Sequence, residues 1–395
     1  MAIKLIKFNR CDLYILFWVL YSMQDILYPR GVINVGLQFV SLIWGLYASR
    51  GFWMSKNPII KSTSILLFMY IIYGVFYLMF PEGYRDFNGI EISHYKYLQI
   101  SLNSLLPIVA CYAYSIKGYL SEKRILIYSL IFLGVFIILF INNQQNLVAR
   151  AIEAGSDREE FTNNIAYEFL TLLPLACFFY KKPLWQYLYV VVTILFIVMG
   201  MKRGAILIAT FCLVYFIINN SKSFKSKFAR KWTVALSLLL VIGIIYVISY
   251  LIENSYYFIH RLEETRMGDS SGRDILYMAI WNGIINDDSI FHLLFGRGAY
   301  STISFSGHLA HQDWLEILCC NGIIGVLILC SFFVSLFKSI NDSRKSMDNF
   351  LSVCFVMTFI ICLSRTFFSM SIQNFELSQS MLLGYLAAQY YSCKK

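Results

Sequence analysis

The side chains best suited to chemistry gather in one polar stretch of the chain, between two long apolar regions. Four of the five histidines, His260, His292, His308 and His311, lie at residues 253–311. An imidazole titrates close to neutral pH, so it can accept or release a proton under physiological conditions. His308 and His311 stand directly before an apolar run, where a lone histidine would be only a cap or an interface residue. The stretch therefore offers a general acid or base, and the neighbouring residues are the evidence for or against a catalytic role.

Two arginines of the same stretch stand in settings that suit a bound anion. Residues 295–298, Phe-Gly-Arg-Gly, form a turn whose glycines leave backbone amides and the Arg297 guanidinium free to approach an anion, although such a tripeptide is more often only a turn. Residues 270–272, Ser-Ser-Gly, precede Arg273 and an amphipathic run that ends at Trp281. This pattern predicts a capped helix that could lie along the membrane surface.

Three further side chains are candidates for substrate contact. Arg365 lies near the outer end of a predicted span, where a charge is costly in lipid and should face the protein interior or a cavity. A phosphate or sugar contact and a helix-pairing or snorkelling arginine are equally open for this residue. Trp281 and Trp314 are candidates for stacking on a sugar ring, whereas interfacial belts explain most of the other aromatic residues.

The sequence favours a site without metal or cofactor. It contains no Asp-X-Asp metal motif, no His-Glu-X-X-His motif and no phosphate-binding loop. Residues 157–160, Asp-Arg-Glu-Glu, could ligate a metal, but a solvated cluster with charges of both signs is the favoured interpretation. The ten cysteines form no Cys-X-X-Cys pair, and all but Cys393 lie in or beside apolar spans, where they are expected to pack as small hydrophobic residues.

These candidate residues must be positioned by membrane-spanning helices. The chain has 58% hydrophobic and 14% charged residues and a mean hydropathy of +0.62, more apolar surface than a soluble core of 395 residues can bury. Backbone groups in lipid can be satisfied within a helix, so the apolar segments predict an all-α, polytopic membrane protein. About twelve spans are expected, near residues 12–28, 32–48, 62–80, 98–116, 124–142, 163–180, 184–200, 203–219, 232–252, 312–337, 347–366 and 375–391.

The charged loops predict the orientation of these spans. Short loops rich in Lys and Arg fall on the side of the N-terminus, so both termini are predicted to be cytoplasmic. The net charge of +10 then follows from topology and not from nucleic-acid binding. Longer loops near residues 81–97, 143–162 and 253–311 face outward, and all five histidines, His94 included, lie on that side. The predicted organisation is nine helices in residues 1–252, a large outer catalytic loop in residues 253–311 and three helices in residues 312–395.

An ordered series of motifs resembles the signature of the O-antigen polymerase and O-antigen ligase superfamily of bacterial polysaccharide assembly. The series is an Arg273 helix with Trp281 eight residues on, the Leu-Phe-Gly-Arg-Gly turn, the His311 helix start and an Asn-Gly-Ile-Ile-Gly run at residues 321–325. Residues 202–205, Lys-Arg-Gly-Ala, are similar to a basic element of that family. Lys202 replaces its usual Ser, and Gln312 stands where the family commonly has Asn. The motifs cover roughly residues 200–335, and the resemblance extends to the whole chain by span number.

The resemblance implies a GT-C-like fold and a glycosyl transfer from a polyprenyl-pyrophosphate sugar to an acceptor sugar, with inversion and without a nucleotide donor. The acceptor hydroxyl needs a base near neutral pH, and a neutral imidazole at His311 fits this role. The leaving pyrophosphate needs cations, so Arg273, Arg203 and Arg297 are expected to bind it and stabilise its departure. Further contacts with the substrate are expected from His308, Arg365, Trp281 and Trp314.

Within the superfamily, the sequence favours an O-antigen or capsule polymerase that joins undecaprenyl-pyrophosphate-linked oligosaccharides at the periplasmic face of the inner membrane. An O-antigen ligase that transfers glycan to lipid A-core would use the same chemistry and is the alternative. A transporter, such as a lipid-linked oligosaccharide flippase, fits the span number, but the chain shows no internal repeat. A chain-length regulator and a flippase are expected partners from the resemblance, and no nucleic acid is expected.

Overall fold

The structure, a computed structural model, covers most of the chain. It describes residues 7–24, 26–28, 31–80, 95–153, 161–220, 227–254, 259, 263, 272–372 and 376–394. His94, His260, the serines at 270–271 and the Asp-Arg-Glu-Glu run at 157–160 lie outside these residues.

The described residues form helices and contain no β-strand. The helices are α1 (Arg10–Ser22), α2 (Val32–Ser49), α3 (Pro58–Met79), α4 (Lys96–Ile116), α5 (Glu122–Glu153), α6 (Ala166–Leu172), a 3-10 segment (Leu173–Phe179), α7 (Pro183–Met199), α8 (Arg203–Asn220), α9 (Lys227–Asn254), α10 (Arg273–Ile285), α11 (Ile290–Phe295), α12 (Thr302–Ser306), α13 (Asp313–Ser346), α14 (Asn349–Phe368) and α15 (Leu377–Lys394). Helices α10 to α12 lie in the predicted outer loop, and their side of the bundle is called the loop end below.

Seven of the described helices are long and apolar enough to cross a membrane, namely α2, α3, α4, α5, α8, α13 and α14. Each coincides with a predicted span, so the prediction of an all-helical chain with several membrane-crossing helices is confirmed in this form. The predicted spans near 12–28, 163–180, 184–200, 232–252 and 375–391 coincide with helices outside these seven. The span near 163–180 changes from α6 to the 3-10 segment at Leu173, because Pro174 has no N–H for an α-helical turn.

The predicted helix of the outer loop is present as α10, but it has a different cap and apolar side chains on both faces, which corrects the expectation of an amphipathic helix. Its first helical residue is Arg273, and Gly272 precedes it in the left-handed region without a side-chain hydrogen bond to the helix. Leu276, Tyr277 and Ile284 pack inward around the buried Ile280. The opposite face leaves four large apolar side chains exposed, namely Ile275, Met278, Trp281 and Ile285. One apolar face of α10 therefore packs on its neighbours, and the other is left uncovered.

Helices α4 and α15 form the centre of the bundle. Helix α4 packs most extensively against α15, and then against α3 and α2. A Cβ added to Gly384 would lie 2.5 Å from the carbonyl oxygen of Ile108, so a glycine is needed where the two helices cross. The Ser380 hydroxyl donates a hydrogen bond of 2.9 Å to the carbonyl of Ser104. This close crossing fixes where α15 begins at the loop end.

Helix α13 is kinked, and the kink receives the turn at residues 296–298. Gly322 has φ 66° and ψ −166° inside the helix. In a regular helix, the carbonyls of Cys319 and Cys320 would accept hydrogen bonds from the amides four residues on. Here they accept instead from the backbone N–H groups of Arg297 and Gly298, at 2.9 and 3.0 Å. These two amides are therefore engaged by the helix, which corrects the expectation that the turn leaves its amides free for an anion.

The glycines on both sides of this contact are required by space as well as by conformation. A Cβ on Gly296 would lie 2.3 Å from the carbonyl carbon of Cys320, and a Cβ on Gly322 would lie 2.4 Å from the carbonyl oxygen of Leu294. The Tyr73 hydroxyl of α3 also donates to the carbonyl of Phe295. The turn, the kink and α3 are thereby joined at the loop end.

We expect Gly296→Ala and Gly322→Ala to lower the melting temperature of the purified protein in detergent. The added methyl meets backbone atoms and the φ value is left-handed, so each substitution should cost about 1–3 kcal/mol. Gly134→Ala in α5 is the matched control, because nothing lies within 4 Å of a Cβ added there. It should stabilise the helix by about 0.5–1 kcal/mol. Similar melting temperatures for the three variants would argue against the docked turn.

Candidate active site

Two buried carboxylates in the first turn of α13 order the segments around it. The Glu316 Oε2 accepts hydrogen bonds of 2.9 Å from both the Thr302 hydroxyl and the Ala310 backbone N–H. The Asp313 Oδ2 accepts from the backbone N–H groups of Ser371 and Ile372, at 2.7 and 3.0 Å. Both side chains belong to residues that are only 1% exposed. Because buried amides must find acceptors, these carboxylates fix the loop before α13 and the segment after α14.

The loop held by Glu316 presents His311 in a strained conformation. His311 has φ 52°, a left-handed value that non-glycine residues adopt infrequently. On one side, Ala310 is fully buried and bonded to Glu316, and on the other Gln312 forms the N-cap of α13 with φ −151°. Such strain persists only where the surroundings enforce it, and it concentrates at functional sites.

The imidazole of His311 lies among positive charges. Desolvation by the surrounding loops, together with the charges of Arg273, His308 and Lys202, lowers the pKa of His311 below its ordinary value. Since that ordinary value is about 6.5, the imidazole is mainly neutral at pH 7 and can accept a proton. The structure thus brings together three of the predicted site residues, His311, Arg273 and His308, and adds Lys202.

Arg273 joins this cluster to the ends of three other helices. Its Nη1 donates a hydrogen bond of 3.2 Å to the carbonyl of Phe368, the last residue of α14. A Cβ on Gly204 would lie 2.6 Å from the Tyr167 hydroxyl and 3.0 Å from Cβ of Phe368. The beginnings of α6, α8 and α10 and the end of α14 therefore meet here. Arg203, the first residue of α8, follows Lys202 at this junction. The name cationic cluster is used below for the cations Lys202 and Arg273 together with the two histidines of this site, His308 and His311.

Arg365 lies behind the cationic cluster and faces the protein interior, as predicted. Its side chain is 3% exposed, and its Nη1 donates a hydrogen bond of 3.0 Å to the Gln379 side chain. The guanidinium lies over the ring of Tyr167, with its carbon 5.6 Å from the ring centroid. Its charge acts on three carboxylates, those of Glu168, Asp313 and Glu376. Arg365 therefore offsets buried negative charge at the loop end.

Arg297 forms an ion pair with Asp287 and does not join the cationic cluster. Its Nε donates a hydrogen bond of 2.6 Å to Asp287 Oδ2, and its guanidinium carbon lies 4.7 Å from the ring centroid of Phe305. The His292 imidazole is 2.8 Å from the same carboxylate oxygen. Arg297 is also absent from the charges that act on His311. The predicted pairing of Arg297 with Arg273 on one pyrophosphate is therefore not what the geometry supports, and Arg297 instead anchors the loop.

The two predicted tryptophans differ in their surroundings. Trp314 donates a hydrogen bond of 2.9 Å from Nε1 to the Thr366 hydroxyl and stacks on Phe367 with ring centroids 5.8 Å apart. It therefore packs α13 against α14. Trp281 is 50% exposed on the outer face of α10 and so presents its ring to the surroundings.

Sequence reasoning missed several residues that build this site. Tyr167 lies in a predicted span and carries no motif. Asp313 and Glu316 were visible as acidic residues at the head of an apolar run, and an ionisable residue in such a place is by itself a functional signal. Among the described residues, no group of three or more His, Cys, Asp or Glu side chains could hold a metal ion.

No protein-family model matches the chain, and no curated protein matches it.

We expect Asp287→Asn to loosen the loop that Arg297 anchors and to lower the melting temperature of the purified protein. The Arg297 guanidinium, with help from the Ser289 amide and His292, lowers the pKa of Asp287 to about 2. The ordinary value is about 3.9, so the ion pair contributes fully above about pH 4 and is lost as the pH falls through 2.

Asp288→Asn is the matched control for this substitution, because the neighbouring Asp288 is exposed. Melting curves of both variants should be recorded between pH 5 and 8, where the difference from the wild type should not depend on the state of Asp287. Equal stability of the two variants would contradict an anchoring role for the Asp287–Arg297 pair.

Proposed function

We propose that the protein is an O-antigen or capsule polymerase of the bacterial inner membrane. It joins oligosaccharide repeats carried on undecaprenyl pyrophosphate by metal-independent, inverting glycosyl transfer at the periplasmic face. The observation that carries the proposal is the placement of His311 in a strained, carboxylate-pinned loop beside Arg273 and Lys202. A base and fixed cations at one place are what this transfer requires.

In the proposed reaction, the acceptor hydroxyl attacks the anomeric carbon of the donor sugar. His311 takes the hydroxyl proton while the new C–O bond forms, and the bond between the anomeric carbon and the pyrophosphate oxygen breaks. A neutral imidazole is the competent form of the base, and the lowered pKa of His311 supports that state at pH 7. Backside attack gives inversion and leaves the lipid pyrophosphate as the departing anion.

The departing pyrophosphate gains negative charge, which the cations of the site stabilise. A guanidinium has five N–H donors, so the contact of Arg273 with the Phe368 carbonyl leaves donor capacity for phosphate oxygens. Lys202 adds a compact positive charge beside it, and Arg203 begins the adjoining helix. Because these cations are held by α8, α10 and α14, they are oriented before the substrate arrives, which is the basis of electrostatic catalysis.

The proposal also includes the number of spans and the side of the membrane on which the termini and the large loop lie. About twelve spans, cytoplasmic termini and a periplasmic loop at residues 253–311 form a GT-C-like membrane enzyme. The exposed apolar face of α10, which carries Trp281, would rest at the membrane surface and keep Arg273 at the level of the lipid headgroups. A chain-length regulator and a flippase are the partners proposed with this function.

The proposal is tested by incubating purified protein with the undecaprenyl-pyrophosphate repeat of its source organism in detergent and EDTA. The wild type should build a ladder of repeats. His311→Asn keeps a residue that tolerates a left-handed φ but removes the base, so the rate should fall by about 10²- to 10⁴-fold. Arg273→Ala should lower it by about 10²- to 10³-fold.

Two controls accompany the assay. Arg344→Ala removes an exposed arginine at the far end of α13 and should leave the ladder unchanged. His311→Gly suits the left-handed backbone, so added imidazole should restore part of its activity if the lost group is a base. Transfer of preassembled glycan to lipid A-core without a ladder would identify a ligase instead. Inactivity of the folded wild type in both assays would overturn glycosyl transfer and favour transport.

The pH dependence of the ladder reaction provides a separate prediction. The pKa of His311 is lowered, so kcat/KM should rise with pH through a value below about 6.5 and level off near neutrality. Lys202→Gln removes a positive charge that favours the neutral imidazole. The rising limb should therefore move to higher pH in that variant. Lys338→Gln, which removes an exposed lysine of α13, should leave the limb in place. A limb that stays fixed in Lys202→Gln would show that His311 is not the titrating base.

A further inference from the structure

A second polar compartment lies on the other side of α6 from the cationic cluster. It is a cavity of about 480 Å³ at the loop end, between α1, α4, α5, α6 and the start of α15. Its size falls within the range of small-molecule sites, about 300–1,000 Å³. Amide and carboxyl side chains contribute much of its lining, together with the guanidinium of Arg150; the amides and carboxyls are Gln24, Asn103, Asn142, Asn143, Asn146, Glu168 and Glu376. It is called the amide cavity below, and it contains none of the predicted site residues.

Two amide oxygens of this cavity lack protein partners. The side-chain oxygens of Gln24 and Asn103 are buried without a hydrogen bond. The side chains of Asn142 and Asn146 make no hydrogen bond to another described residue. A buried polar group without a partner is destabilising, so such groups in a native protein call for a ligand or ordered water. Two such oxygens in one cavity, with the side chains of the half-buried Asn142 and the exposed Asn146 beside them, favour a ligand with several hydrogen-bonding groups.

Two carboxylates supply the strongest acceptors of the amide cavity. Glu168 and Glu376 come from α6 and from the residue before α15, and their charges act on each other and on Arg365. Neither carboxylate accepts a hydrogen bond from another described side chain or backbone amide, whereas Arg365 Nη1 is directed to Gln379. The pair is therefore ready to accept hydrogen bonds from a ligand that carries donors. The guanidinium of the lining, that of Arg150, is exposed, so an anion in the cavity would meet the half-buried carboxyl pair without a buried cation beside it.

The cavity wall is held rigidly by a separate set of amides. Asn143 donates a hydrogen bond of 2.7 Å to the Asn163 side chain, which itself donates to the carbonyl of Phe140 at 3.1 Å. The backbone N–H of Asn163 bonds to the carbonyl of Gly200 at 2.9 Å. These contacts join the outer turns of α5 to the beginning of α6 and the end of α7. A wall that is already ordered loses little entropy when a ligand binds.

We propose that the amide cavity binds a neutral saccharide, namely the acceptor glycan that the cationic cluster extends. Amides, paired carboxylates and the aromatic faces of Trp18 and Tyr21 match the hydroxyls and apolar faces of a sugar ring. Tyr167 and Glu168 are neighbours on α6, and Tyr167 faces the Arg273 junction while Glu168 lines the cavity. A glycan held there lies beside the reacting centre. The acceptor role rests on the proposed function, whereas saccharide binding rests on the cavity alone.

Equilibrium binding to purified protein tests this proposal without requiring any transfer. The probe is a fluorescently labelled repeat-unit oligosaccharide from the source organism's own surface polysaccharide, free of lipid and pyrophosphate. We expect saturable binding to the wild type, and a loss of affinity of at least about tenfold in Glu168→Gln and in Glu376→Gln, which corresponds to 1.4 kcal/mol or more. Glu153→Gln, at the exposed end of α5, is the matched control and should bind as the wild type does.

Ile100→Trp provides a second variant that changes no charge. Ile100 lines the cavity, so the larger ring should fill it and abolish binding even if a glutamate variant fails to fold. Absence of saturable binding to the wild type, or unchanged affinity in folded Ile100→Trp, would overturn the proposal. Calcium binding that depends on Glu168 and Glu376, with no saccharide binding, would also overturn it in favour of a cation site. Saccharide binding by a wild type that forms no ladder would leave this proposal standing and count against the polymerase alone.

Discussion

The docking of residues 296–298 onto the kink of α13 is the contact on which the loop end depends. A membrane-crossing helix normally satisfies its own backbone, and lipid offers no replacement partner when a helical bond is broken. The break at Gly322 frees carbonyls that only a neighbouring backbone can satisfy, and the amides of Arg297 and Gly298 do so. The kink and the turn therefore require each other. Because α11 leads into the turn and α12 follows it, this exchange also sets where both short helices lie.

Buried charge gives the same region its second constraint. Asp313 and Glu316 would be costly in an apolar bundle if their oxygens were not engaged, and each instead accepts backbone or hydroxyl donors from a loop. The two carboxyl groups need hydrogen-bond donors because they are buried, and the segments that supply the donors become ordered as a result. Arg365 balances part of this charge from α14 while it supports the ring of Tyr167. The strained φ of His311 is maintained by this arrangement, since Ala310 beside it cannot leave Glu316 without exposing a buried acceptor.

The parts of this structure that the sequence predicts are those that depend on local composition. Apolar length predicts the spans, and the seven described helices that are long and apolar enough to cross a membrane fall where hydropathy places them. The ordered motifs likewise place Arg273 and His311 in one site. Arg297 shows the limit of reasoning from local sequence. Its partner Asp287 lies ten residues away in a loop that carries no motif. The carbonyl that accepts from its backbone N–H comes from α13. Glu168 and Glu376 are 208 positions apart along the chain, and the packing of α6 on the start of α15, where the Thr171 and Ser378 hydroxyls lie 2.6 Å apart, brings them to one cavity.

The two compartments on either side of α6 differ in chemical character, and this difference has a consequence for substrate binding. The cations of the cationic cluster attract anions and keep the His311 imidazole neutral, whereas the amide cavity presents amides and a half-buried carboxyl pair to hydroxyl groups. A substrate with an anionic carrier and a neutral glycan would therefore be divided between the two compartments, with each part drawn to a different side of the helix. Tyr167 and Glu168, adjacent on α6, mark the boundary between the two sides. Under the proposed function, the bond to be made lies at that boundary, between a donor fixed by its pyrophosphate and an acceptor fixed by its hydroxyls.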